Sequence, residues 1–507
     1  MNLSRRDLLA TTAMAGLAGL LSPLVPPRSR ASAATHAPQA LGVERRVIEV
    51  RGRPADVFGL LLPDGTHGLH TEVGHRFRVR LGNRSGEETL IHWHGLRPPW
   101  RQDGVPSLSQ PALPPGQSYD YDFPLTLPGT NWMHSHHGLQ EQRLMAAPLI
   151  IRDPAEAAAD IQDVVVMLHD FTFRNPAEIL AGLRGGDHGD GDGPQPADAH
   201  DGRGAPERGG GGHGAMDHGQ AAAPADGHDA HGGAAAAGAA HLHDVEHDAY
   251  LFNDRTLDDP TVFPVERGGR VRLRLINAAA ATNFWIELGS LRGRLAAVDG
   301  VPVEHVPGSR FELAIAQRLD ILIDLPREQG AWPVFAAREG DAKRTGFVLA
   351  TKGGHIPRLS PSAHRKAEAV GLGLERRLRT GRPLPPRPAD RRHTVTLGES
   401  PGYVWTMNGA VHGAHVPLEV REGERVEITF ADRTTMAHPM HLHGHHFQVI
   451  GIGGTRLEGA VRDTVLVPAS GRVTIAFDAD NPGKWALHCH HLYHMAGGMM
   501  TTVEYGS

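Results

Sequence analysis

A short pattern occurs three times in this chain. Thr71-Glu-Val-Gly-His-Arg-Phe-Arg-Val-Arg-Leu-Gly-Asn83 returns as Val265-Glu-Arg-Gly-Gly-Arg-Val-Arg-Leu-Arg-Leu-Ile-Asn277, and again as Val420-Arg-Glu-Gly-Glu-Arg-Val-Glu-Ile-Thr-Phe-Ala-Asp432. Each copy is a glycine turn followed by apolar alternation, the period of a strand buried on one face. A second element keeps step: Tyr119-Asp-Tyr-Asp-Phe leads to Gly129, Leu319-Asp-Ile-Leu-Ile to Gly330 and Val473-Thr-Ile-Ala-Phe to Gly483. A pattern repeated at this spacing implies a fold of like units. Many short strands, Gly/Pro turns and almost no helical periodicity make the expected fold all-β, three tandem β-sandwiches near 41–153, 160–350 and 390–507. The Pro/Arg-rich stretch from Gly353 to Asp390 reads as the connection into the third unit.

Two segments stand outside the repeat. Ser4-Arg5-Arg6-Asp7-Leu8-Leu9 opens an apolar run that reaches Val25 and is broken by Pro23 and Pro26, with Ala31-Ser32-Ala33 as a small-residue cleavage site. That run is too short for a membrane span, and its arginine pair resembles a twin-arginine export signal over residues 1–33. The mature chain is therefore expected in the periplasm, with no stable membrane insertion. Arg184 to His247 is a low-complexity insertion of Gly, Ala, Asp and His within the second unit, and includes Gly214-Ala215-Met216-Asp217-His218-Gly219. Its poverty in apolar residues predicts disorder; a solvated loop and a weak metal-collecting segment are the two readings. A formal charge of -6 over 507 residues gives no basic footprint for nucleic acid.

The 34 histidines and single cysteine point to imidazole-based metal chemistry and exclude an internal disulfide framework. Four segments carry histidine pairs: His92-Trp93-His94-Gly95, His134-Ser135-His136, His438-Pro439-Met440-His441-Leu442-His443-Gly444 and His488-Cys489-His490. On a strand, residues two apart share a face. Each His-x-His thus presents two imidazoles together, and Cys489 points the opposite way. Counted from Asn83 and Asp432, the pairs His92/His94 and His441/His443 share the same offsets, where the middle unit has Ile286 and Leu288. Counted from Gly129 and Gly483, so do His134/His136 and His488/His490, where the middle unit has Phe335 and Ala337. The outer units carry ligands and the middle one hydrocarbon. Pooled at a shared interface, the pairs exceed the needs of one ion, so a metal cluster is expected. Around Cys489, His438, His494 and Met499 complete the two-histidine, thiolate and distant thioether set of a blue-copper centre; Ser135 holds the thiol's place in the first unit. Zinc accepts imidazoles but has no redox chemistry and gives no reason for this set, so copper is the better reading.

These motifs together closely resemble the multicopper oxidases, the family of laccases and bacterial copper-resistance oxidases, over nearly all of the mature chain outside the insertion. The resemblance implies three cupredoxin-like Greek-key domains and four copper ions. It implies a type 1 copper at His438, Cys489, His494 and Met499, type 2 ligands at His92 and His441, and type 3 ligands at His94, His134, His136, His443, His488 and His490. The implied activity is one-electron oxidation of a reductant at the type 1 ion and four-electron reduction of O2 to water at the cluster. Electrons would pass from Cys489 through His488 and His490. Asp103, in Gln102-Asp103-Gly104-Val105-Pro106, matches the family's acidic residue and is the expected proton donor, its plainer reading being an Asp-Gly turn. Some members carry Glu directly after the type 1 histidine; Met495 stands there in this chain. The reductant is left open between Cu(I), for which Met436, Met440, Met495 and Met500 are candidate soft ligands, and phenolic or other aromatic donors. The same methionines also suit irregular apolar gaps, and the insertion is rich in histidine rather than methionine. From a different class, a non-catalytic periplasmic copper buffer would need erased ligands, and none is missing. Oligomeric state is not read from these features.

Overall fold

The computed structural model describes residues 37–185 and 242–506. In it the repeat becomes three equivalent strands, Arg76–Arg84, Arg270–Asn277 and Arg425–Asp432. Each is paired in parallel with the strand that opens its unit: Gln39–Val50, Gln162–Phe171 and Arg391–Ser400. Each is also paired antiparallel with the second repeated element, in Ser118–Pro124, Arg318–Asp324 and Arg472–Asp478. In the first copy the alternation behaves as period two requires, with Phe77, Val79 and Leu81 buried while Arg76 and Arg80 are exposed. The middle copy departs from a half-buried strand. Its Arg272 and Arg274 are buried too, because Glu156, Asp163 and Asp320 pair with them.

A second sheet accompanies each first one. Its strand order is Leu69–Glu72, Ala146–Arg152, Gly129–Ser135, Ile91–His94 in the first unit. In the middle unit it is Val262–Pro264, Arg344–Ala350, Ala331–Arg338, Phe284–Glu287, Arg310–Leu313. In the third it is Leu418–Val420, Met500–Tyr505, Lys484–Cys489, His438–Leu442, Thr464–Val467. Consecutive pairs such as Ala331–Arg338 with Arg344–Ala350 alternate with neighbours distant in sequence, such as Gly129–Ser135 with Ile91–His94, the mixture of a Greek-key sandwich. Apolar residues from both sheets of each pair fill a common core, such as Leu41, Val79, Trp93 and Met133 in the first, Leu273, Ile286, Ile321 and Val334 in the middle, and Ile428, Leu442, Trp485 and Val503 in the third.

The expected leader at 1–33 and most of the insertion lie outside the described residues. The insertion's expected limits need correction. Residues 242–247 are packed, with Val245 in the third core beside Ile179 and Leu183 of helix Pro176–Arg184. An apolar Leu242 and Val245 among charged neighbours gives this end a face to bury that the Gly/Ala/His tract lacks. The connection from Gly353 to Asp390 also packs, burying Val370, Leu372, Leu374 and Leu378. Among the described residues no helix is long and apolar enough to cross a membrane.

Candidate metal centres

The histidine-bearing strands pair antiparallel within the second sheet of each outer unit. His92 lies opposite His134, and His441 opposite His488. The corresponding pair of the middle unit is Ile286 with Ala336, not Phe335 or Ala337. The offset counted from glycine is corrected there by one residue, since the chain between Gly330 and the paired position is one residue longer than after Gly129 or Gly483. All eight imidazoles are buried and converge from the first and third units. Their Nε2 atoms lie 3.5 Å apart for His92 and His441, 3.4 Å for His136 and His488, 3.3 Å for His134 and His490, and 3.0 Å for His443 and His488.

Hydrogen-bond partners fix which nitrogen is free. A ring nitrogen facing a carbonyl oxygen must carry the proton, because the carbonyl only accepts. His92 Nδ1 donates to the Asp103 carbonyl at 2.9 Å, His441 Nδ1 to that of Asp463 at 2.9 Å, and His488 Nδ1 to that of Cys489 at 3.0 Å. His443 Nδ1 donates to Asp103 Oδ2 at 2.8 Å. The Nε2 atoms of these four rings are therefore bare lone pairs. Such pairs face one another at 3.0 Å between His443 and His488, and at 3.5 Å between His92 and His441. Lone pairs repel unless a cation stands among them, so the donor set fits a metal. Burial holds His94, His134, His136, His441, His443 and His490 well below the ordinary imidazole pKa, and His488 at about 3. Neutral rings are the form that ligates.

Carboxylates back the cluster. Asp103 caps the short turn Trp100–Gln102 and is fully buried, with Oδ1 left without a hydrogen-bond partner. It is brought against Ile91 and His92 by Gly104, whose φ is +84° and whose place has no room for a Cβ (1.9 Å from the Ile91 carbonyl oxygen). Glu141 lies 3.1 Å from His134 Nδ1 and 3.8 Å from His490 Nδ1, and burial raises its carboxyl well above the usual range. Asp463 Oδ1 accepts from His94 Nε2 at 3.0 Å.

On the reverse face of the same ribbon, Cys489 Sγ lies 3.6 Å from His438 Nδ1 and 3.8 Å from His494 Nδ1, and the two nitrogens are 3.2 Å apart. The centre of that triangle is about 2 Å from each donor, the bonding reach of a transition-metal ion. The Met499 backbone is tied to both Cys489 and His494, and its side chain is fully buried. Burial pushes the Cys489 thiol up and holds His494 at about 3. Trp405 stacks on His494 at 3.9 Å. Outside this triad, Asp244 lies 3.3 Å from His494 Nε2 and 3.2 Å from His491 Nε2, and accepts from the Tyr403 hydroxyl.

Eleven of the twelve sequence-derived candidates thus bring their donor atoms into two buried groups, with Asp103 at the larger and Met499 tied to the smaller through its backbone. The methionines do not gather at one point. Met436 and Met440 join the third core, Met500 packs with Val105 and Ala486, and Met495 is half-buried. Glu141, Asp244 and Asp463 were not found from sequence, because a lone carboxylate carries no spacing. The only cue was a charged residue inside otherwise apolar or amide-rich runs such as Gln140-Glu141-Gln142.

Residues 67–156, 224–353 and 384–507 each match the multicopper oxidase family. The chain is 30% identical over 448 residues to Multicopper oxidase MmcO of Mycobacterium tuberculosis, covering 86% of this chain and 81% of that protein. It is 26% identical over 547 residues to Copper resistance protein A of Escherichia coli, covering 86% and 87%. Its fold is similar to that of a laccase from Botrytis aclada, with a TM-score of 0.71 at 21% identity over 92% of this chain and 86% of that one.

Proposed function

The chain belongs to the multicopper oxidase family, copper-dependent oxidoreductases, and from that premise we propose that its two buried groups are the copper sites of an exported, periplasmic oxidase whose reductant is Cu(I). Copper, when bound, would supply the redox chemistry: one-electron oxidation of the reductant at a type 1 ion and reduction of O2 to water at a cluster of three. In this reading His438, Cys489, His494 and Met499 hold the type 1 ion, and His92 with His441 the type 2 ion. His94, His134, His136, His443, His488 and His490 hold the type 3 pair. The units near 41–153, 160–350 and 390–507 are three cupredoxin-like domains, with the ligands confined to the outer two.

The observation that carries the assignment is the set of facing lone pairs beneath a thiol on the other side of one strand. Covalent backbone links Cys489 to both His488 and His490, so an electron delivered to the thiol side has a bonded route to the cluster. Asp103, fully buried with Oδ2 on His443 and Oδ1 3.3 Å from His92 Nδ1, would hand protons to the oxygen-reducing side. Asp244 supports a cationic donor. Its carboxyl lies 3.3 Å from the outer nitrogen of His494 and 3.2 Å from that of His491, an acidic group beside the thiol-side site. A phenol there meets a carboxylate and a packed 242–247 segment instead of an open apolar slot.

Oxygen uptake with Cu(I) and with a bulky phenol, measured on the wild type and Asp244→Asn, tests the reading. Cu(I) turnover should fall while phenol turnover holds or rises; a loss confined to phenol turnover would favour an aromatic donor, and equal losses would mean that Asp244 acts through His494 and not on the donor.

A further inference from the structure

The middle unit supplies no imidazole, yet one of its side chains reaches the cluster from behind. Arg318 opens strand Arg318–Asp324 and is fully buried. Its Nη1 and Nη2 donate to Asp463 Oδ1 and Oδ2 at 2.7 and 2.5 Å. Its Nε donates to the Thr130 carbonyl at 3.1 Å, and Nη1 also to that of Ala316 at 3.1 Å. Asp463 then faces the cluster twice, through Oδ1 to His94 Nε2 and through its carbonyl to His441 Nδ1. Thr464 Oγ1 adds a bond to Asp463 Oδ1 at 2.9 Å. One hydrogen-bonded chain so joins His94 of the first unit, Arg318 of the middle and Asp463 of the third.

His94 is the odd ring of the set. His92, His134, His441, His443 and His488 all engage a protein oxygen through Nδ1. His94 engages its oxygens through Nε2, and its Nδ1 is buried without a partner. The rings also differ in where they find an acceptor. His134 and His488 use carbonyls of adjacent residues, whereas His94 depends on a carboxylate from a different unit, which is free to turn unless something holds both its oxygens. A guanidinium fork does that in one plane. The fork also explains Gly95, directly after His94. A Cβ there would lie 2.7 Å from Arg318 Nη2 and 2.2 Å from Asn131 Oδ1. Behind Arg318, Asp299 Oδ1 accepts from its backbone N–H at 2.9 Å, while Asp299 Oδ2 accepts from Arg462 Nε at 2.9 Å.

We propose that Arg318 is a positioning residue of the copper cluster: by clamping Asp463 it holds His94 in the orientation that turns Nδ1, not Nε2, inward as the ligand atom. This rests on the copper assignment above. The rival is an ion pair that only joins the units. Buried ion pairs contribute little net stability, and that role would leave the cluster's magnetic and metal-binding properties alone.

Arg318→Met, Arg318→Lys, Asp463→Asn and the Met/Asn double variant are compared as copper-loaded full-length protein. The readouts are copper per chain, the share of copper visible by electron paramagnetic resonance, and the blue absorbance, which reports the opposite face of the ribbon. Arg318→Met should keep the blue absorbance. It should lose cluster copper or uncouple the type 3 pair so that more copper becomes visible, with reoxidation by O2 slowed about 10–100-fold. The double variant should be no worse than the worse single one. Unchanged copper content and resonance in Arg318→Met, or losses that multiply in the double variant, would overturn the proposal. Should Arg318→Met not fold, Arg318→Lys decides. An ammonium lacks the rigid planar fork that fixes both carboxylate oxygens in one plane, so an unaltered resonance there also overturns it. His94→Ala is the reference: full copper in that variant means that the ligand assignment itself has failed, whatever Arg318 does.

Discussion

The middle unit and the outer two place different chemistry on one piece of geometry. Ile286 and Ala336 face each other in the same antiparallel register that brings His92 to His134 and His441 to His488. All are buried, but the free energy behind them differs. Burying an isoleucine stabilises a fold by roughly 1.5–3 kcal/mol with no partner required. A buried imidazole gains only when its nitrogens are satisfied, and here the inward nitrogens face one another. The same buried sandwich positions therefore carry self-sufficient hydrocarbon in the middle unit and imidazoles that need a further partner in the outer two. Arg318 shows that the middle unit is not a passive spacer, since it reaches the cluster through Asp463.

Replacing a ligand breaks the comparison most severely. His443→Ala should abolish oxygen consumption while leaving the blue band, since His443 lies away from the Cys489 face; oxygen uptake near the wild-type rate would remove it from the cluster. Next in size, Asp103→Asn should slow reoxidation by O2 with an intact blue centre, read by stopped flow, and unchanged turnover would reject its proton role. In the middle unit the loss should be of stability alone. Ile286→Ala is expected to cost about 2–5 kcal/mol in denaturant unfolding with copper content unchanged, whereas copper loss would couple that core to the sites.

The smallest effect is in pH. The shifted cluster imidazoles have pKa values below the ordinary 6.5, so above that pH they are neutral in folded and unfolded chain alike and copper uptake should be flat. Burial shifts the Cys489 thiol the other way, upward, so it must lose a proton to bind. Type 1 uptake should therefore strengthen about tenfold per pH unit through neutrality. Calorimetric proton release measured separately for the two centres checks this, and equal slopes would contradict it.

The three-fold repeat and the two ligand groups were legible because a strand's period of two converts residue spacing directly into direction. His-x-His and the intervening Cys489 needed no further information. The single-residue slip at Ala336 arose because counting from a glycine assumes equal lengths of chain up to the pairing, which hydrogen bonding rather than sequence sets. Arg318, Asp463, Glu141 and Asp244 were illegible for a different reason. Arg318, Asp463 and Asp244 meet partners across a unit boundary, such as Asp463 with His94, 369 positions apart; Glu141 reaches His134 within its own unit as well as His490 in another, and one charged residue has no period to betray it. The buried stem at Asp244 and Val245 was hidden by the composition of the tract before it.

Diffraction at the copper absorption edge tests the central claim most directly. The account predicts four anomalous peaks per chain, three grouped among the eight histidines shared by the first and third units and one among His438, Cys489 and His494. Peaks scattered over surface histidines, or one lying in the middle unit at Ile286 and Ala336, would contradict it.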